Sequence, residues 1–179
     1  MIACTLFRSA SQKNEAAQVL YGLVVSQARH PVFYTRFGIA DTVDGRFDMI
    51  VLHVFFLLRR LSLEQETRGL AQALFDVMFH DMDHNLRAMG VSDLQVGGKV
   101  RDMLRAFYGR VNAYDTALAA QDDRLLAEVL QRNVYRNIDQ SRSENIKLLI
   151  DYIRKLVKTS AAWSAADLRV GRISFVAPL

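Results

Sequence analysis

One apolar segment, from Phe47 to Leu61, constrains the fold of this 179-residue chain more than any other feature. Its apolar residues recur every three or four positions, as on one face of an α-helix: Phe47, Ile50, Val51, Val54, Leu57, Leu58 and Leu61. Four more lie on the other sides of the same helix: Met49, Leu52, Phe55 and Phe56. A helix that is apolar nearly all round must be covered by its neighbours, so we predict a central helix. Its longest apolar stretch, residues 49–58, is well below the ~20 residues of a membrane span.

Helical spacing also extends over most of the remaining chain. We predict further helices over residues 11–29, 63–89, 92–120, 123–135 and 142–165, because apolar residues repeat with the helical period in each. Gly90 is expected to end the helix over 63–89 as its C′ residue. Four serines are each followed three residues later by Gln or Glu, the pattern of an N-terminal capping box: Ser9, Ser62, Ser92 and Ser141.

These patterns together predict the fold class. We expect an all-α, single-domain bundle of about six or seven helices around the central apolar helix, spanning residues 1–179. Residues 168–179 lack helical spacing and are expected to be extended or to dock as an arm. The single cysteine, Cys4, excludes an intramolecular disulfide and a multi-cysteine zinc site.

Positive charge is concentrated in the last third of the chain. Residues 129–179 contain nine Lys or Arg and four Asp or Glu, whereas the whole chain has a net charge of +4. A basic segment of this kind can bind an anionic partner such as RNA, a ribosome surface or acidic lipid headgroups. A solvated helix face has the same composition, so both interpretations stay open.

Few residues suggest chemistry. His80 and His84 have the i, i+4 spacing of two metal ligands on one helix, but no further ligand motif accompanies them. His53 lies in the most apolar helix and is expected to be a neutral core residue with a hydrogen-bond partner. Gly97 and Gly98 either bind an anion at a helix start or allow a close helix approach. We therefore predict no catalytic residue, metal, cofactor or small-molecule substrate.

Two long stretches carry a family resemblance. They are FYTRFGIADTVDGRFDMIVLHVFFLLRRL, residues 33–61, and ALFDVMFHDMDHNLRAMGVSDLQVGGKVRDMLRAFYGRVNAYDTAL, residues 73–118. In these stretches the chain resembles the ubiquinol–cytochrome c chaperone family, whose mitochondrial members assist assembly of respiratory complex III. The resemblance covers about residues 20–140, and the basic C-terminal helix and tail, about 141–179, lie outside it.

The resemblance implies a non-catalytic assembly factor that binds newly made cytochrome b or another apolar client protein. Family members work with a small partner protein near the ribosome exit, so a ribosome or an anionic membrane surface is a further expected contact. Without the N-terminal extension of the mitochondrial members, we expect a bacterial, cytoplasmic protein, with a peripheral position at the inner face of the membrane as an option.

Six residues of the family pattern are polar or aromatic and are predicted to lie at helix ends: Tyr34, Phe37, Arg46, Asp48, Tyr108 and Arg110. We hypothesise that they form one surface that grips an apolar segment of a partner, with the charges fixing its orientation. Gly109, between the last two, is expected to allow tight packing against the central helix. Two alternatives to the chaperone remain: an RNA- or lipid-headgroup-binding module that uses the basic C-terminal third, and a metal-dependent enzyme centred on His80 and His84.

Overall fold

A computed structural model describes residues 2–136 and 143–178, with side chains from residue 11 onward. Its helices are α1 (Ile2–Ala28), α2 (Val32–Thr35), α3 (Val43–Leu61), α4 (Arg68–Ala88), α5 (Asp93–Ala120), α6 (Asp123–Asn133), α7 (Ser143–Ala161) and α8 (Ala165–Arg169). A 3₁₀ turn, Gln65–Thr67, precedes α4. The described residues contain no β-strand, so the predicted all-α class is confirmed.

The helix predicted to be central, α3, is central. Every side chain from Phe47 to Leu57 is buried, and α1, α4, α5 and α7 all pack against this helix. Thr42 begins α3, because its hydroxyl oxygen accepts a hydrogen bond from the backbone N–H of Gly45 at 3.1 Å. Gly45 is required here, since a Cβ atom would lie 2.0 Å from the backbone oxygen of Ala40.

The helices α4 and α5 form an antiparallel pair joined by a short turn. Gly90 has the positive φ of +85° that a C′ glycine adopts, as predicted. The backbone N–H of Val91 then donates to the carbonyl of Leu86 at 3.0 Å, which closes the end of α4. On the other side of α4, the hydroxyl of Tyr21 in α1 donates to Asp81 at 2.7 Å.

The C-terminal tail, Arg172–Pro178, has no regular secondary structure and is docked against the helices. The indole N–H of Trp163 donates to the carbonyl of Ser174 at 3.2 Å, and the amide of Gln27 donates to the carbonyl of Val176 at 2.8 Å. Between these bonds the ring of Phe175 contacts His53 with a centroid distance of 5.3 Å. The tail therefore covers part of the central helix.

Several predicted helix boundaries are wrong. Helix α1 begins at Ile2, so Ser9 lies inside it and is not a cap. Ser62 ends α3, where its hydroxyl donates to the carbonyl of Leu58, and α4 starts only at Arg68. Ser92 is the N-cap of α5, but its side chain accepts no capping hydrogen bond. The fourth serine, Ser141, lies outside the described residues.

The helix predicted over residues 142–165 corresponds to α7 and also differs from its prediction. It ends at Ala161 instead of continuing to residue 165, and α8 follows after a short break. Ser164 caps α8 by accepting a hydrogen bond from the backbone N–H of Asp167 at 3.0 Å. This break turns the chain, so that the tail can return along the bundle to α1 and α3.

Candidate functional site

A cleft of about 720 Å³ lies between the start of α3, the end of α4 and the middle of α5. Its volume is in the range of ligand and peptide pockets. The cleft is mostly apolar, and its apolar lining is Val43, Phe47, Ile50, Met82, Leu86, Ala88, Met89, Val91, Met103 and Ala106. Three of these are exposed: Ala88, Val43, which is 60% exposed, and Met89, which is 53% exposed. The cleft thus offers apolar surface that the fold leaves open to solvent.

Charged residues surround this apolar surface. Four cations line the cleft, namely Arg29, Arg46, Lys99 and Arg110, together with the acids Asp44 and Asp102. Arg46 forms an exposed ion pair with Asp41 at 2.7 Å. An apolar floor with a charged rim is the usual anatomy of a protein-binding surface.

A buried ion-pair network reaches the cleft through one of its members, Arg110. Asp48 is 1% exposed, and its carboxylate contacts the guanidinium of Arg110 at 2.7 Å and that of Arg136 at 2.5 Å. Burial raises the pKa of Asp48 to about 6, and the two guanidinium groups oppose that rise. The guanidinium of Arg110 also lies 5.5 Å from the ring centroid of Phe47. These contacts hold Arg110 in a fixed position at the cleft.

The structure does not bring the six predicted site residues onto one surface. Arg46 and Arg110 line the cleft, but Phe37 and Asp48 are buried in the core and are not accessible to a partner. Tyr34 is half-buried and donates to the carbonyl of Ala28 at 2.7 Å. The burial of these residues depends on neighbouring helices, so their expected positions at helix ends did not predict it.

Tyr108 lies away from the cleft. It is 56% exposed and is located on another side of α5 from Ala106 and Arg110, since each residue turns a helix by about 100°. Its ring packs near Phe75, with a centroid distance of 6.0 Å. Tyr108 and Arg110 are also in the middle of α5, not at a helix end, so that part of the prediction is wrong.

The glycines of α5 have neither of the roles predicted for them. Gly97 and Gly98 lie inside the helix, beyond its four unpaired N–H groups, so they cannot cradle an anion. A Cβ atom at Gly97, Gly98 or Gly109 would have no heavy atom within 4 Å, apart from the adjacent residues and the nearby backbone of α5 itself. No described helix packs closely against them.

His53 is the neutral core histidine that was predicted. Its Nδ1 is 2.7 Å from the carbonyl of Met49, an acceptor, so Nδ1 carries the proton. Its Nε2 therefore accepts from the hydroxyl of Tyr152 at 2.7 Å. Burial lowers the pKa of His53 to about 4.

The two histidines considered as metal ligands are both exposed on α4. In the part of the chain that the structure describes, no three His, Cys, Asp or Glu residues are grouped so that they could hold a metal ion. No described helix combines the length and apolarity needed to cross a lipid bilayer.

Ion pairs with acidic side chains neutralise part of the positive charge of the C-terminal third. Among the described residues of this third, four arginines contact acids: Arg136 with Asp48, Arg154 with Asp123, Arg169 with Glu66, and Arg172 with Asp167. Less of this charge is free for RNA or lipid headgroups than the residue count suggests.

Sequence reasoning missed most of the cleft. Met82, Leu86, Met89 and Met103 are among the apolar residues whose spacing predicts the helices over 63–89 and 92–120, but the end of α4 leaves Met89 exposed. One signal was present: three of the six methionines of the chain lie in the facing stripes of α4 and α5. Methionine is adaptable and is frequent at surfaces that bind varied apolar segments.

Comparisons with known proteins agree with the resemblance seen in the sequence. The chain is 27% identical over 155 residues to the ubiquinol-cytochrome-c reductase complex assembly factor 1 of Xenopus laevis, covering 86% of this chain and 76% of that protein. It is 25% identical over 162 residues to the human protein of that name, covering 89% of this chain but 54% of the human protein. The chain thus spans little more than half of the human relative.

A solved structure supports the same relationship. The crystal structure of the Cbp3 homolog from Brucella abortus matches with a TM-score of 0.86 and 32% identity, covering 99% of this chain and 98% of that chain. The model of the ubiquinol-cytochrome C chaperone family matches residues 35–175. This match extends beyond residue 140, where the recognisable resemblance ended, and includes α7, α8 and most of the tail. Since it covers most of the chain and the fold agrees throughout, this chain belongs to the ubiquinol-cytochrome C chaperone family.

Proposed function

We propose that this protein is an assembly chaperone for ubiquinol–cytochrome c reductase, respiratory complex III, and that its client is newly made cytochrome b. The proposal rests on one structural observation, the open apolar cleft between α3, α4 and α5, in a member of this family. A client that is destined for a membrane has apolar segments that need cover before assembly. The cleft provides such cover without any chemical step.

The cleft is well suited to transient binding. Its floor is formed by side chains of three helices, whereas Met89 at its mouth is exposed and has a flexible, unbranched side chain. A rigid floor with adaptable edges accepts related apolar segments and releases them later. We propose that the protein acts at the inner face of the membrane, close to the ribosome that makes the client.

The experiment is a gene deletion with complementation. In the deletion strain, we expect the b-type haem signal of the membranes and the amount of assembled complex III to fall, and the wild-type gene to restore both. The Met89→Glu variant places a charge in the cleft at an exposed position, so it should fold but fail to restore complex III.

A matched control separates the cleft from general surface effects. Leu63 is 74% exposed and does not line the cleft, so Leu63→Glu introduces the same charge elsewhere and should complement fully. Immunoblots must show equal amounts of both variants. A normal haem spectrum in the deletion strain would overturn the proposed function. Full complementation by Met89→Glu would show that the cleft is not needed for that function.

A further inference from the structure

Two cations at the rim of the cleft have no anionic partner in the part of the chain that the structure describes. Arg29, at the end of α1, and Lys99, in α5, are exposed, and neither forms an ion pair with any residue that the structure describes. The other two cations of the lining are already paired, Arg46 with Asp41 and Arg110 with Asp48. The two sides of the cleft thus each carry a positive charge that is not neutralised within the described fold.

The acids of the lining do not balance these charges. Asp44 is 3.6 Å from Arg136, and Asp102 is 3.1 Å from Arg105, so each has a cation of its own. The rim of an otherwise apolar cleft therefore has a positive potential. Unbalanced charge around an interface steers and orients a partner of the opposite sign.

The apolar lining favours a polypeptide as the occupant. Met82, Met89 and Met103 contribute three flexible thioether side chains from two facing helices. Side chains of this type adapt to the varied residues of a protein segment. The cleft is also open along three helices, as in grooves that accept an apolar helix from a partner.

We propose that the cleft binds an apolar segment of a partner protein that carries acidic residues next to its apolar stretch. The acids pair with Arg29 and Lys99, while the apolar side chains contact the methionines. This inference rests on the proposed function, since it names the chemistry of the client segment. It explains why two exposed cations flank an apolar cleft without partners of their own.

Binding of designed peptides to the full-length protein tests the proposal. Two fluorescein-labelled peptides share one Leu- and Ala-rich centre, and one has glutamates at both ends whereas the other has lysines. Each exposed ion pair contributes little on its own, so at low salt we expect the glutamate peptide to bind about 5- to 10-fold more tightly by fluorescence anisotropy. The difference should shrink as salt is added.

Charge reversal gives the critical result. In the Arg29→Glu/Lys99→Glu variant the preference should invert, so that the lysine peptide binds more tightly. The control variant, Arg68→Glu/Lys155→Glu, reverses two exposed cations outside the cleft that are likewise unpaired among the described residues. It has the same net charge and should retain the preference of the wild type. An inverted preference also shows that the cleft variant is folded.

Three results would overturn the proposal. The first is equal affinity of the wild type for both peptides. The second is the same change of preference in the control variant, which would reduce the effect to net charge. The third is that the wild type binds phosphatidylglycerol vesicles but shows no preference between the peptides, whereas the cleft variant does not bind the vesicles. This result would make the cleft a lipid-headgroup site. These readouts do not involve complex III. The proposed function can therefore fail in the deletion strain while the peptide preference holds, and the peptide preference can fail while the deletion strain still loses complex III.

Discussion

The buried His53 should make the protein sensitive to acid. Its pKa is lowered from 6.5 to about 4 in the folded state, because the ring is 0% exposed and burial disfavours its charged form, which the hydrogen bond to the carbonyl of Met49 offsets only in part. The unfolded chain therefore binds more protons between pH 6.5 and pH 4, and the free energy of unfolding falls as the pH falls through that window. The difference between the two pKa values corresponds to a loss of about 3 kcal/mol.

Asp48 acts in the opposite direction over nearly the same range. Its pKa is raised from 3.8 to about 6, so the folded state binds more protons than the unfolded chain between those values. Its contribution to the free energy of unfolding therefore increases as the pH falls. The wild-type curve alone combines both groups, and a variant that lacks the titrating ring is needed to isolate His53.

Urea unfolding provides the assay. The chain has one tryptophan, Trp163, which is buried and reports unfolding by fluorescence. The His53→Leu/Tyr152→Phe variant removes the ring and its donor together, which avoids an unpaired buried hydroxyl. Between pH 7 and pH 4 the wild type should lose about 3 kcal/mol relative to this variant.

A control and a refuting result complete the design. The hydroxyl of Tyr135 donates to the carbonyl of Phe37 and does not contact His53, so Tyr135→Phe should keep the wild-type pH dependence. If the difference between the wild type and the His53→Leu/Tyr152→Phe variant is the same at pH 7 and pH 4, His53 is not the buried neutral group that the geometry indicates.

Three further substitutions, with Gly22→Ala as a reference for the first, test contacts of the fold by thermal or urea unfolding. Gly45→Ala should cost about 1–3 kcal/mol, because its Cβ would overlap a backbone oxygen, whereas Gly22→Ala in open space on α1 should gain about 0.5–1 kcal/mol. Arg110→Met should cost about 3 kcal/mol at pH 7, since it removes one of the two cations that offset the burial of the Asp48 carboxylate. Phe175→Ala should cost about 2 kcal/mol and expose the tryptophan to quenchers, because the two rings are in contact. A change below 0.5 kcal/mol at any of the three would contradict the contact described there.

Local patterns were sufficient to predict the helical architecture. The period of the apolar residues from Phe47 to Leu61 and the polar residues before it determine α3 without reference to the rest of the chain. Gly90 could be placed as a C′ residue for the same reason, because the end of a helix depends on its last turn. The capping boxes failed where the flanking residues determine whether a serine begins or ends a helix. Ser62, for example, is the C-cap of α3.

The candidate site could not be predicted in this way, because its contacts join residues that are far apart in sequence. Asp48 and Arg136 are separated by 88 positions, and no local pattern shows that an acid in an apolar helix has a cation there. Phe37 was predicted to lie on a binding surface as an aromatic residue at a helix end, but the hydroxyl of Tyr135 donates to its carbonyl and Tyr152 of α7 packs against its ring. Whether an apolar residue is covered depends on how helices pack, not on its own helix.

The cleft and the core arise from the same property of α3. A helix that is apolar on all sides needs neighbours all round, and four helices and the tail provide them along most of its length. At its first turns the cover is incomplete, since Val43 remains exposed and Phe47 and Ile50 form part of an open cleft. Burying that remaining apolar surface is favourable for any segment that fits. The sequence that drives folding therefore also leaves a place where a second chain can complete the core, and we expect the rim cations, which have no ion-pair partner among the described residues, to give that place a preference for an acidic partner.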